Sequence, residues 1–402
     1  MLLQSRSENN RITVLFFNLF TWLGGGEYSA YNLVKHLNHS RFHPVMMFCK
    51  QGPFVQKVEA CGIEAVILPY EIVEKKRLIM PGSIWRNITA SLAIKRWVHV
   101  QGVDVVQCSD VFALLLLLPS LVLTRIPVVY SVIVFYGRWR SWFFNFLALL
   151  FVDRIVVNSQ AVKDDLAKKT IGLSSKMTVV YNGVDPTLFF PRRDDERQSI
   201  RRRLGLPVDR SIVGFVGRFE VWKGHLTFLG AAERLLASRS DVLFLMVGGA
   251  ITQEVAPQVR KYREEVVQWI ESRNFDGRLL AWGERDDIPE IVPVLDVLVC
   301  PSDYEPFGLV ALEGYACGIP VVASRTVGAM EVLKREAGVF AAEPRDPDSF
   351  ASSIAKALDY SRTMHGNASN AQPVGALSHE LRHSWQQYAR AFEQLYESVV
   401  CH

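Results

Sequence analysis

Short apolar runs punctuate the chain at 12–17, 45–48, 66–68, 103–107, 128–134, 155–157 and 177–180. Each has the length of a strand and lacks the alternation of a half-exposed one, and helix-length segments separate them. Strands that are apolar on both faces and alternate with helices predict a parallel sheet covered on both sides. The rhythm restarts at 211–216, 242–247, 278–281, 297–300, 321–323 and 338–340, which predicts a second doubly wound α/β domain. Between them, 182–203 carries Pro186, Pro191 and a dense charge run, the composition of an exposed linker. The expected division is 1–185, 186–376 and a final helical segment 377–402. After a loop at 364–374, that segment repeats Trp385, Tyr388, Phe392 and Tyr396 at helical spacing from about 378 onward, one aromatic stripe suited to packing on a domain surface.

Composition agrees with two cores. A chain of 402 residues exceeds what one core comfortably holds, and 49% hydrophobic with 21% charged residues excludes a disordered chain. The net charge of +4 is too small for a nucleic-acid surface, so no nucleic-acid partner is expected. Six cysteines without a CxxC pair, mostly in apolar runs, suggest free thiols in a reducing cytoplasm. The polar residues 1–11 lead directly into the first strand without the regions of a signal peptide. The apolar runs 111–123 and 142–152 fall short of the ~20 residues of a membrane span. Pro119 interrupts one and Asp153 closes the other, so both are expected to be buried helices of the first domain. Arg138, Trp139, Arg140 and Trp142 combine cations and aromatics as membrane-interface segments do. Peripheral contact of the first domain with the inner face of a membrane therefore stays open.

Ligands of such domains bind beyond the carboxyl ends of the strands, which directs attention to the loops there. After the strand at 297–300 come Glu305, Pro306, Phe307, Gly308, Leu309 and Glu313. A helix opening near Phe307 would offer free amides to an anion. Glu313 would then lie about 9 Å along it, close to the span from a diphosphate to a ribose. Two glutamates can simply be solvated, but Glu313 stands between Leu312 and Gly314 in an apolar helix, where a carboxylate needs partners. Arg218 and Lys223, on the loop after 211–216, supply the cations a diphosphate requires. Asp346-Pro347-Asp348 has the look of a helix start, and no cluster has metal-ligand spacing. Neither a metal nor a cofactor is expected. Gly24-Gly25-Gly26-Glu27 precedes a helix in the first domain. It partly matches a dinucleotide fingerprint, but six residues separate it from its strand and no acid follows the second strand.

With these loops assembled, the chain resembles the retaining glycosyltransferases of family 4, which have the two-Rossmann GT-B fold. The resemblance covers nearly the whole chain. It rests on Gly24 to Glu27, Asn182-Gly183-Val184-Asp185, Gly217-Arg218 to Lys223-Gly224, Gly283 to Pro289, and Glu305-x7-Glu313 enclosing Pro306-Phe307-Gly308. It implies two α/β domains facing a cleft, the last helix packing back on the first domain, and a nucleoside-diphosphate sugar as donor. Arg218 and Lys223 would bind the diphosphate, Glu305 the donor-sugar hydroxyls, and Glu313 the ribose. Phe307, Gly308 and Leu309 would add backbone amides, Gly24 and Gly25 would approach from the first domain, and Gly283, Glu284 and Arg285 would line the base. The acceptor would be a glycan, a lipid-linked sugar or a polysaccharide. Transfer would retain configuration by front-face attack, with no covalent nucleophile.

Two positions depart from the family pattern. Ile133 stands where a histidine commonly meets the donor sugar near its sixth carbon, which suggests a donor lacking a 6-hydroxyl. The segment Thr326 to Glu331 has one glycine and is a residue short. A sugar-nucleotide epimerase, an NAD(P) enzyme and a non-catalytic sugar-nucleotide binder are the alternatives.

Overall fold

The computed structural model describes residues 11–19, 21, 24–68, 81–249, 257–366 and 383–401. Its first sheet comprises β1 (Ile12–Asn18), β2 (Phe42–Phe48), β3 (Glu64–Ile67), β4 (Val105–Cys108), β5 (Val128–Val132), β6 (Arg154–Val157) and β7 (Met177–Val179). The connecting helices are α1 (Gly25–His36), α2 (Pro53–Glu59), α3 (Pro81–Val100), α4 (Val111–Thr124), α5 (Arg138–Phe151) and α6 (Gln160–Lys169). The strand order is β3-β2-β1-β4-β5-β6-β7, and each pairing is parallel. Val14 to Phe17 of β1 are buried because helices cover both faces, which is why the run needed no polar alternation.

The second sheet comprises β8 (Ser211–Val216), β9 (Val242–Val247), β10 (Leu279–Trp282), β11 (Val297–Cys300), β12 (Val321–Ser324) and β13 (Val339–Ala342), in the parallel order β10-β9-β8-β11-β12-β13. With it run α7 (Asp194–Arg203), α8 (His225–Leu236), α9 (Pro257–Glu271), α10 (Ile288–Ile291), α11 (Leu309–Ala316), α12 (Met330–Leu333) and α13 (Pro347–Gly366). The chain then returns as α14 (Trp385–Val400) to the first unit, where it packs against α1. Its aromatic stripe is buried as expected: Tyr396 meets the rings of Phe16 and Phe42, and Trp385 meets Tyr28.

The units change over at Asn182–Gly183 and at Ser384–Trp385. Val184 accepts Ser384 as a parallel bridge partner and donates its N–H to the His383 carbonyl, so the two crossings run side by side. The expected loop at 364–374 is helical through Gly366; its remainder and the expected helix start at 378 lie outside the described residues.

Two expectations are corrected. The charge run at 194–203 is not an exposed linker but the helix α7, whose Arg197 and Arg201 are buried. Both guanidiniums reach Asp296, at 3.0 and 2.7 Å, and carbonyls of Val294 and Leu295, while Asp296 also accepts the Ile212 N–H. Those partners come from distant sequence, so charge density alone misplaced the segment. The run 142–152 is likewise not a buried helix. One stripe of α5 is buried, but Trp139, Trp142, Phe146 and Leu150 are more than half exposed. By contrast α4, capped by Asp110 at Phe112 N–H, is buried along Ala113, Leu114, Leu116 and Leu117.

Candidate functional site

Three neighbouring strands of the second sheet, β8, β11 and β12, end in loops that interlock. Asp303 N–H donates to the Trp222 carbonyl, the rings of Trp222 and Tyr304 stack, and Gly328 N–H donates to the Glu305 carbonyl. Val327 pairs with Glu305 as an isolated bridge, and Ala329 N–H donates to the Phe307 carbonyl. The short segment from Thr326 to Glu331 is therefore the brace that holds the Glu305 loop.

Glu305 is buried, accepting from Lys223 Nζ at 2.5 Å and Ser302 Oγ at 3.1 Å. A turn at Val221–Lys223 sends Lys223 back toward the sheet. Arg218 lies on the same loop, and its guanidinium has no ion-pair partner among the described residues. Beyond Glu305, Gly308 takes the left-handed conformation (φ +89°) that favours glycine, and α11 opens at Leu309. The helix thus starts two residues later than expected, because a left-handed residue ends the loop rather than beginning the helix. Glu313 lies about 6 Å along α11, roughly one turn in. Amides of the first turn of α11 have no acceptor inside the helix, and Phe307 is buried beneath them.

Glu313 is half-buried, and its carboxylate has no hydrogen-bond partner among the described residues. Burial pushes its pKa up from 4.5 to about 7, against the pull of the nearby Lys223. The partners expected for it are not among the described residues, which leaves the carboxylate able to accept from a ligand.

Gly283, Glu284 and Arg285 follow β10 and are exposed. Arg285 forks onto Asp287 at 2.8 and 2.5 Å and lies over the Trp282 ring. The loop after β9, which sequence reasoning missed, joins this segment to β8: Gly248 N–H donates to the Gly283 carbonyl and Phe219 N–H to the Gly249 carbonyl. Two glycines directly after an apolar strand were the available signal. His225 was also missed. It is fully buried beside Lys223, stacked on Phe219, with neither ring nitrogen hydrogen-bonded among the described residues. Burial, aided by the Lys223 charge, lowers its pKa to about 3, so it fills space as a neutral ring.

In the first unit, Gly24 caps α1, with its N–H held by Glu27 Oε2 at 3.1 Å, and Gly25 accepts from Ser29 Oγ. Ile133 follows β5 and presses on the next glycine: a Cβ at Gly26 would fall 2.0 Å from Ile133 Cδ1. Asp346 caps α13, accepting from Asp348 and Ser349 N–H, which confirms the Asp-Pro-Asp sequence as a helix start. Among the described residues no group of three His, Cys, Asp or Glu side chains is placed to hold a metal ion.

Two doubly wound units, with cations and carboxylates gathered at the carboxyl edge of one sheet, define a GT-B protein. Residues 23–188 match the profile described as Glycosyltransferase Family 4, and residues 196–392 match that of Glycosyl transferases group 1. The chain belongs to the family 4 glycosyltransferases. It is 29% identical over 252 residues to D-inositol 3-phosphate glycosyltransferase of Corynebacterium kroppenstedtii, covering 62% of this chain and 54% of that protein. It is 34% identical over 194 residues to alpha-maltose-1-phosphate synthase of Mycobacterium tuberculosis, covering 46% and 47%. The chain spans about half the length of these curated relatives. Anabaena HepE, crystallised with UDP and glucose, shares the fold with a TM-score of 0.80 at 22% identity, covering 96% of this chain and 100% of that one. Sucrose-phosphate synthase from Thermosynechococcus elongatus does so with a TM-score of 0.75 at 20% identity, covering 97% and 100%.

Proposed function

We propose that this protein transfers a sugar, with retention, from a nucleoside diphosphate to a glycan, lipid-linked or polysaccharide acceptor. The observation that carries this reading is the arrangement around α11: a buried Lys223–Glu305 pair at its opening and, one turn in, a Glu313 with no hydrogen-bond partner among the described residues. Arg218 and Lys223 neutralise the diphosphate, together with amides of Gly308 and Leu309. Glu313 accepts from ribose hydroxyls, and Glu305 holds donor-sugar hydroxyls. Gly283, Glu284 and Arg285 flank the base. The acceptor oxygen attacks the anomeric carbon as its bond to the diphosphate breaks, and the acceptor proton passes to a phosphate oxygen. Catalysis rests on positioning and on stabilising the departing charge. HepE crystallised with UDP-glucose supports a nucleotide sugar as ligand.

The alkyl side chain of Ile133 supports a donor without a 6-hydroxyl, a 6-deoxyhexose or a pentose. The free cysteines are consistent with a reducing compartment. A panel of nucleotide sugars tests the reading through thermal shift and donor consumption, since a ligand that binds only the folded state raises Tm. Wild type should consume a donor, and Glu305→Ala should do so far more slowly. If no nucleotide sugar shifts Tm or is consumed, the transferase reading falls; binding without turnover would mark a non-catalytic binder. Preference for a glucose donor would sink the deoxysugar assignment alone.

A further inference from the structure

Helix α5 carries two apolar stripes where packing uses one. Ser141, Phe144, Leu147 and Ala148 face inward, with Phe144 against the rings of Tyr130 and Tyr136 at 4.7 and 5.6 Å. Trp139, Trp142, Phe143, Phe146, Leu149 and Leu150 recur at i, i+3, i+4, i+7, i+10 and i+11 and face outward, Trp139 being 86% and Trp142 66% exposed. Ile171, 83% exposed, lies beside them: its N–H donates to Asn145 Oδ1 at 2.8 Å, and the next residue, Gly172, adjoins Leu149. Single exposed apolar side chains are ordinary, but an outward stripe sustained over three turns marks an interaction surface.

Charge identifies the partner. Helix α5 contains no acidic residue. Arg138 and Arg140 stand at its start. At its end Lys176 donates to the carbonyls of Ala148, Leu149 and Val152. Arg140 is paired with Asp110, whereas Arg138 and Lys168 are exposed and have no carboxylate partner among the described residues. A tryptophan- and leucine-rich stripe with basic residues at both helix ends and no acidic residue complements the headgroup and acyl boundary of an anionic bilayer. Spanning is not in question. At 14 residues α5 is about 21 Å long, below the ~30 Å hydrocarbon core, and no described helix is long and apolar enough to cross a membrane.

We propose that α5 is an interfacial anchor that lies in the plane of an anionic bilayer, burying Trp139, Trp142, Phe146 and Leu150. The helix begins directly after the β5 edge that carries Ile133. On the transferase reading, this brings that edge of the unit to the headgroups, where a lipid-linked acceptor resides; membrane binding itself does not depend on that reading.

The test is co-sedimentation of the full chain with vesicles of phosphatidylcholine alone or with ~30% phosphatidylglycerol. The bound fraction should be much larger with the anionic lipid and fall with salt, and tryptophan emission should shift to the blue. Trp142→Ser, Phe146→Ser and Leu150→Ser together should reduce binding about tenfold or more, with Tm unchanged because these side chains face water. Arg138→Gln alone should weaken the preference for anionic vesicles. Wild type remaining in the supernatant with both vesicles overturns the proposal, as does undiminished binding by the triple variant. A dimer in solution that the triple variant dissociates would assign the stripe to a second copy instead. If the triple variant misfolds, Trp142→Gln decides on the same readouts. None of them requires turnover, so failure of the transferase reading would leave this result interpretable.

Discussion

At the carboxyl edge of the second sheet, Arg218, Lys223 and Glu305 lie within one laced set of loops, and Glu313 lies one turn into the helix that follows. At the same edge of the first sheet Ile133 packs against Gly26, the Tyr130 hydroxyl meets that of Tyr136 at 2.8 Å, and Arg140, paired with Asp110, lies over the Tyr136 ring. Both sheets are parallel and place their loops alike. Topology supplies the edge, and side chains decide what it can bind. Desolvation raises the Tyr130 and Tyr136 hydroxyls above their ordinary range, so both stay neutral, and the charges beside them, Arg140 and Asp110, are paired with each other. At the second edge Arg218 has no ion-pair partner and Glu313 no hydrogen-bond partner among the described residues.

The comparison breaks most visibly at Glu305. Glu305→Ala should lower transfer by roughly 10²-fold or more, the scale for misplacing the reacting sugar. It should also cost about 3 kcal/mol in urea unfolding, because Lys223 is left without its partner. Activity within a few fold of wild type would remove the distinction between the two edges.

Next in size is the packing of the first edge. Gly26→Ala should cost about 2 kcal/mol through overlap with Ile133 Cδ1. Ile133→Val in the same chain removes that methyl and should recover most of the loss; strict additivity in a double-mutant cycle would show that the contact is not the cause.

Glu313 sharpens the contrast through pH. Its folded pKa is raised, so the unfolded chain releases this proton first, and stability falls as pH rises from about 4.5 to about 7. Above 7 the full cost remains, roughly 2 kcal/mol after allowance for its partial exposure. Glu313→Gln should therefore be more stable than wild type at pH 8 and equal to it at pH 4, while binding nucleotide less tightly. A mutant equally stable at pH 8 would mean that the carboxylate is not desolvated.

The smallest effect belongs to a carboxylate outside the site. Asp346→Ala should cost about 1 kcal/mol by uncapping α13 and leave donor binding unchanged in a thermal-shift titration.

Much of this was legible along the chain. Strands β8, β9 and β11 begin and end where their apolar runs do, and the remaining strands differ by a few residues at their ends. Fully buried parallel strands leave little choice of composition. Glu305, Gly308 and Glu313 were visible because strand end, turn and helix lie consecutively in sequence. The partner of Glu305 was harder to find, since Lys223 is 82 residues away and only adjacent strands bring them together. The buried role of Arg197 and Arg201 was illegible for the same reason.

What the sequence by itself determined is local: the period of each strand, the cap at Asp346, the turn at Gly308, and the absence of acid from α5. Only the tertiary structure decided which apolar and charged groups lose water. Two apolar stripes wind around α5, and packing covers only one. A glutamate in α11 and an arginine in α7 are both desolvated, yet the arginine has a carboxylate partner and the glutamate has no hydrogen-bond partner among the described residues. Desolvation depends on neighbours from distant parts of the chain, and periodicity carries no record of them.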